Sequence, residues 1–218
     1  MTETYVETKP AHRWRDPRPV WRVLALFFGL ATIVYLLFAL YGALVVLQAQ
    51  YWLPPELAVA LDSSFLALNK VATPLFLMCA ALTLVLTYIL IANAHTLESG
   101  VNLTSPAMAI ASYFIPIICL FMPPAMMGHL WRATFASSGR QPQGIIALWW
   151  GAFLISSLIA TWAGIAGNAE SALETTQLFG WQTLGFTARM IAAITLLYIF
   201  GSIVGQQMLH QKSHAVAT

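Results

Sequence analysis

The stretch NLTSPAMAIASYFIPIICLFMPPAMMGHLWRATFASSG, residues 102–139, decides how this chain is read. It is apolar enough to enter a bilayer, yet Pro106, Pro116, Pro123 and Pro124 puncture it. Proline removes a backbone donor and clashes with the preceding turn. A backbone interrupted at membrane depth survives only where protein or a polar cavity covers its freed groups. Ser105 is a favourable N-cap and Pro106 a favourable first helical residue. Pro116 stops the helix they start, and Pro123 and Pro124 close the apolar run. Pro124 then opens a second short helix that ends by Gly139. Residues 105–139 therefore read as a re-entrant or interfacial helix pair that does not cross.

The faces of the second helix agree. At 100° per residue Met126, Met127, Leu130, Trp131, Thr134 and Phe135 share one half, and Gly128, His129, Arg132 and Ala136 the other. Such a helix lies in the headgroup plane with Arg132 towards water and phosphate, or packs its apolar face on the bundle. The two are compatible.

The rest of the chain is ordinary spanning helix. Of 218 residues, 59% are hydrophobic and 8% charged, against about 25% charged in a soluble domain. Mean hydropathy is +0.74. Several segments reach the ~20 apolar residues that a bilayer needs. A net charge of +2 is too small to argue for nucleic acid. Cys79 and Cys119 lie in apolar runs and behave as small hydrophobes, with no disulfide or zinc spacing.

The expected architecture is all-α and polytopic, with four transmembrane helices. Residues 1–19 form a cytoplasmic tail. Residues 20–209 form one membrane domain with spans at about 20–47, 71–94, 145–166 and 184–208. Residues 210–218 form a second cytoplasmic tail. The first apolar run is too long for the ~7–15 residues of a signal-peptide core. Tyr51 and Trp52 mark the far interface, and Pro54 and Pro55 break the helix there. Residues 56–69 are mildly amphipathic and suit a short surface helix. Pro74 then sits in the first turn of the second span. Residues 167–180 form an outer loop bearing Glu170 and Glu174.

Basic residues set the orientation. If residues 105–139 do not cross, Lys9, Arg13, Arg15, Arg18, Arg22, Arg132, Arg140 and Lys212 share the cytoplasmic side and Lys70 lies outside. A crossing would move Arg132, Arg140 and Lys212 outside. The first arrangement obeys the positive-inside rule far better. Both termini then face the cytoplasm of a bacterial inner membrane.

With these residues in view, the chain resembles a bacterial family of small four-helix membrane proteins known only as a domain of unknown function. The resemblance rests on Ser105 and Pro106, then Phe114, Ile115 and Pro116, then Pro123, and then Leu130, Trp131, Arg132 and Ala133. It extends over roughly residues 35–207, with the central motif alone specific. The chain departs from the family pattern at Cys119, where asparagine is common, at Pro124, where an aromatic is common, and at His129, where an acid is common. If that asparagine and acid form a polar site in relatives, this chain lacks it. The resemblance implies an architecture and no activity.

Candidates for chemistry are few. His95, Glu98 and His129 fall on one predicted side and are of metal-ligating type, but nothing in the sequence brings them together. Polar residues at helix ends need no further reason, so no metal is assigned. His210 and His214 share an i, i+4 spacing in the tail. No histidine lies inside a span, as haem ligation would need, and no nucleophile or phosphate-loop motif is present. No cofactor and no catalytic residue is expected. Arg189 is the one charge within a span. An arginine at the bilayer centre costs about 2.5–3.5 kcal/mol on insertion scales. Close to the outer end, it either snorkels to the interface or faces the bundle towards Glu170, Glu174, Glu56 or Asp62.

Small residues at Ala160 and Gly164, Ala188 and Ala192, and Gly201 and Gly205 allow close helix approach. Packing of span three on span four is the first use, and a homo-oligomer through Gly201 and Gly205 the second. Three function classes stay open. The preferred one is a non-enzymatic accessory, scaffold or regulatory component of a membrane complex, with the bilayer and a protein partner as its contacts. It is preferred because polar groups inside the membrane are scarce. The others are a small transporter or channel acting as an oligomer, and a lipid-active membrane enzyme. Interface candidates are Ser105, Pro106, Pro116, Pro123, Trp131, Arg132 and Arg189.

Overall fold

Long apolar runs fold as long helices, and four of them do so here despite single glycines and Pro74 within them. The structure, a computed structural model, describes residues 13–50, 55–97, 101–142, 144–165 and 172–217. Its elements are α1 (Arg18–Gln50), α2 (Pro55–Ala94), α3 (Pro106–Ala111), α4 (Ile118–Thr134), α5 (Ile145–Ile165) and α6 (Ala172–Ala217). Helices α1, α2, α5 and α6 are each long and apolar enough to cross a membrane. No strand occurs among the described residues.

Two long helices run further than their composition suggests. Residues 56–69 do not form a separate surface helix. They continue into α2, because nothing between Glu56 and Pro74 stops a helix, and Pro74 lies in the helix interior rather than in a first turn. Helix α6 begins at Ala172, ahead of the residue 184 expected for the fourth span, so Trp181 sits within the helix and not at its edge. At its other end α6 takes in most of the expected tail, running to Ala217.

Neighbouring helices line up in the order α2, α1, α6, α5, with α1 against α6 and α6 against α5 as the broadest contacts. Gly42 lets α1 and α6 meet closely. A Cβ there would overlap the Thr183 hydroxyl and stand 3.2 Å from the Phe179 carbonyl. Gly201 serves α1 as well: a Cβ would lie 3.1 Å from the Trp21 ring. Gly201 therefore packs within the chain, whereas Gly205 is exposed and a Cβ there would meet nothing within 4 Å.

Helices α3 and α4 form a hairpin that enters and leaves at one end of the bundle. Ser105 caps α3 by accepting from the Met108 N–H. The chain then descends until Tyr113 lies beside Thr87, ~10 Å of helix short of the end of α2 at Ala94. It turns over residues 112–117, where Ile117 takes φ 68°, a strained setting for a β-branched residue. The break falls at Pro116 as expected. Pro123 and Pro124, however, do not end the run: both lie inside α4, which begins at Ile118 rather than at Pro124. Helix α4 climbs back until the Thr134 carbonyl meets His210 Nε2 at 3.1 Å.

The freed carbonyl is covered by protein. Pro124 has no N–H to give to Leu120, four residues earlier. The Trp150 indole supplies that hydrogen bond instead, donating from Nε1 to the Leu120 carbonyl at 2.7 Å. The apolar face of α4 points the same way. Met126, Met127, Leu130, Trp131, Thr134 and Phe135 are buried, while Arg132 and Ala136 are exposed. That face packs on the bundle and is not laid into lipid.

This half of the molecule holds the main core. Leu24, Leu90, Met127, Trp131, Phe200 and Ile203 meet in one cluster drawn from α1, α2, α4 and α6. A buried amide pair fastens it. Asn93 accepts from the Arg15 N–H at 2.9 Å and donates to the Arg15 carbonyl at 2.8 Å. Gln207 donates to the Leu90 carbonyl at 2.9 Å. The segment before α1 is thereby tied across α2 and α6. Arg13, Arg15, Arg18, Arg22, Arg132, Arg140 and Lys212 all belong to this end.

Candidate functional site

Helices α2 and α5 flank the hairpin but do not touch each other among the described residues. The row of helices curls round a cleft with α2 on one side, α5 on the other, and α1 and α6 as its floor. The α3–α4 turn closes it towards the charged end. Two chambers of about 260 and 270 Å³ occupy the cleft, and Arg189 and Ser156 line both.

The inner chamber is apolar although several lining residues carry hydroxyls. Phe28, Phe76, Phe114, Trp150 and Phe153 supply aromatic wall. Ser156 and Ser157 turn their hydroxyls back onto the Phe153 carbonyl at 2.8 Å each. The oxygens of Thr83 and Tyr113 are buried and without hydrogen-bond partners. Tyr113 presents its ring to the cleft and sinks its hydroxyl beside Thr87 Oγ1, without hydrogen-bond geometry between them. Burial pushes the Tyr113 phenol well above its ordinary value, opposed only by that neighbouring hydroxyl. The outer chamber is more polar, with Asn69 and Gln182 in its wall.

Arg189 lies well inside α6. Since α6 starts at Ala172, ~25 Å of helix precedes it. Ser156, near the middle of α5, shares both chambers with it. It is half-buried and faces the cleft, with its guanidinium 5.9 Å from the centre of the Phe186 ring. Among the described residues it has no ion pair; Asp16 with Arg18 at 2.7 Å is the pair found there. Glu170 lies outside the described residues, as do the side chains of Glu56, Asp62 and Glu174.

The other candidates are placed apart from the cleft or at its closed end. Ser105 and Pro106 start α3, and Pro116 is exposed in the turn. Pro123 is buried in α4. Trp131 is fully buried, stacks on Phe135 and donates to the Arg140 carbonyl at 2.9 Å. Arg140 lies over Trp131 and Phe135 and bonds to the Tyr198 hydroxyl. Arg132 is exposed at the charged end. His95 Nε2 lies 3.2 Å from the Thr104 carbonyl, and His129 is half-buried on α4. Glu98 lies outside the described residues, and no group of three His, Cys, Asp or Glu side chains clusters among those described.

The cleft and the buried amides escaped sequence reading. Asn93 and Gln207 are amides in apolar runs, a visible signal. Which of the four helices stand apart leaves no trace in any one of them.

A bundle of four span-length helices closed at one end by a re-entrant hairpin defines a multi-pass membrane protein. The chain belongs to the family described as Domain of unknown function (DUF4328), which matches residues 50–204. That range takes in α2 to most of α6 and so the whole cleft except its α1 wall. Neither a curated protein nor a solved structure matches the chain.

Proposed function

We propose that this protein is a non-enzymatic accessory or regulatory component of a membrane complex, and that the cleft between α2 and α5 is its working surface. The observation that carries this reading is the cleft itself. It is open between two spanning helices, apolar along the inner chamber, and holds one cation. A surface of that kind selects something that arrives through the bilayer rather than a water-borne solute. The positive-inside rule puts the basic end in the cytoplasm, with both termini there, as in a multi-pass protein of a bacterial inner membrane.

One observation favours a second reading, a small transporter. The chambers meet at Arg189 and together run from Asn69 to Tyr113. Purification from native membranes without harsh detergent, followed by mass spectrometry and a proteoliposome flux assay, separates the two. A lipid or protein retained in fixed ratio, with no flux by the protein alone, supports the accessory reading. Solute flux that Arg189→Gln abolishes overturns it in favour of transport.

A further inference from the structure

Arg189 sits where two chambers of different character meet, and that arrangement specifies an occupant. We infer that the cleft binds a long-chain fatty acid, its carboxylate on the Arg189 guanidinium and its chain in the apolar inner chamber. The inference deepens the reading of the cleft as a working surface and rests on it.

Three features select this chemistry. The first is charge. Arg189 makes no hydrogen bond or ion pair with any described residue, and it faces a cavity, not bulk water. On its own helix Glu174 is ~22 Å away at helical rise. A guanidinium in apolar surroundings calls for an anion, and its planar fork matches a carboxylate with two parallel hydrogen bonds.

The second feature is polarity along the cleft. On one side of Arg189 the wall is aromatic and aliphatic, because the hydroxyls of Ser156, Ser157, Thr83 and Tyr113 are turned back or buried. That side suits a hydrocarbon chain. On the other side the wall is more polar, with Gln182 and with Asn69, whose amide donates to the Phe65 carbonyl at 3.0 Å.

The third feature is size. A free fatty acid has one chain and no bulky headgroup. Each chamber, near 260–270 Å³, falls just under the usual ~300–1,000 Å³ of small-molecule pockets. One chain fits such a space and two do not.

Trp149 and Trp150 line the inner chamber, so the test is optical. The full-length protein goes into nanodiscs of zwitterionic phosphatidylcholine. The probe is palmitic acid brominated in mid-chain, whose bromine quenches nearby indoles. Saturable quenching is expected, at a mole fraction at least tenfold lower than Arg189→Gln requires. Brominated methyl palmitate, which lacks the charge, should likewise need at least tenfold more. Ala80→Phe fills the inner chamber and leaves Arg189 in place; it should abolish the saturable component, with the thermal midpoint confirming the fold. If Arg189→Gln does not fold, the methyl ester and Ala80→Phe decide the matter alone. Equal quenching by acid and ester overturns the inference, as does full quenching in folded Ala80→Phe. Brominated phosphatidylglycerol quenching as well as the acid also overturns it and assigns the site to a bilayer headgroup. A co-purifying protein with no acid-specific quenching sinks this inference while leaving the broader reading of the cleft intact.

Discussion

At the scale of single residues, the membrane interior makes every backbone group matter. Pro124 would leave the Leu120 carbonyl without its helical donor, and the Trp150 indole replaces it. A buried acceptor stripped of its partner costs about 1–3 kcal/mol. Trp150→Phe should therefore destabilise the protein by that order. Pro124→Ala, which restores an N–H, should soften the loss, and unfolding in mild detergent measures the coupling. Strictly additive single and double variants would count against this role for Trp150. Tyr113 poses the opposite problem, since its buried hydroxyl has no partner. Tyr113→Phe removes an unsatisfied group and should stabilise by about 1 kcal/mol at neutral pH. Burial raises the phenol's folded-state value above its unfolded one near ~10. The folded state then keeps a proton that the unfolded state loses, so stability falls as pH rises above ~10 and on through the folded value. In Tyr113→Phe that alkaline loss should shrink. A parallel pH profile for the two proteins would refute the assignment.

Elements are joined here by close helix approach more than by polar contacts. Residues of α1 show both sides of the rule. A Cβ at Gly42 would run into Thr183 on α6, while one at Gly29 would meet nothing within 4 Å. Gly42→Ala should cost about 1–3 kcal/mol through overpacking. Gly29→Ala should be neutral or stabilise by up to about 1 kcal/mol, because alanine is the better helix former. Thermal midpoints of the two variants test the sign directly. A midpoint for Gly42→Ala at or above the parent would mean that α1 and α6 do not pack as described. The same logic applies at Gly201, where a Cβ would stand 3.1 Å from the Trp21 ring.

For the molecule as a whole, the hairpin decides the topology. Because α3 and α4 enter and leave at one end, Ser137 and Lys70 belong to opposite ends of the bundle. Lys70 lies ~35 Å along α2 from Ala94. In a background lacking Cys79 and Cys119, Ser137→Cys should react with an impermeant maleimide from the face that also exposes the N-terminus. Lys70→Cys should react only from the other face. Labelling of both from one face would require residues 105–139 to cross.

What could be read from residue order was the set of elements that depend on local chemistry. The four long apolar runs, the Ser105–Pro106 start, the stop at Pro116 and the split of α4 into apolar and polar halves all follow from propensity and periodicity. These are properties of a chain and its nearest turns. Tertiary structure decided what lies beyond that range. Pro74, Pro123 and Pro124 stay inside helices, because packing of neighbouring elements outweighs a lost hydrogen bond and, at Pro124, a tryptophan from another helix replaces it. Asn93 and Gln207 became a fastening only once α2 and α6 stood side by side. Arg189 faced a cleft because α2, α5 and α6, far apart in the chain, came together round it. The separation of α2 from α5 is a relation between helices, and it came from the hairpin wedged at their shared end.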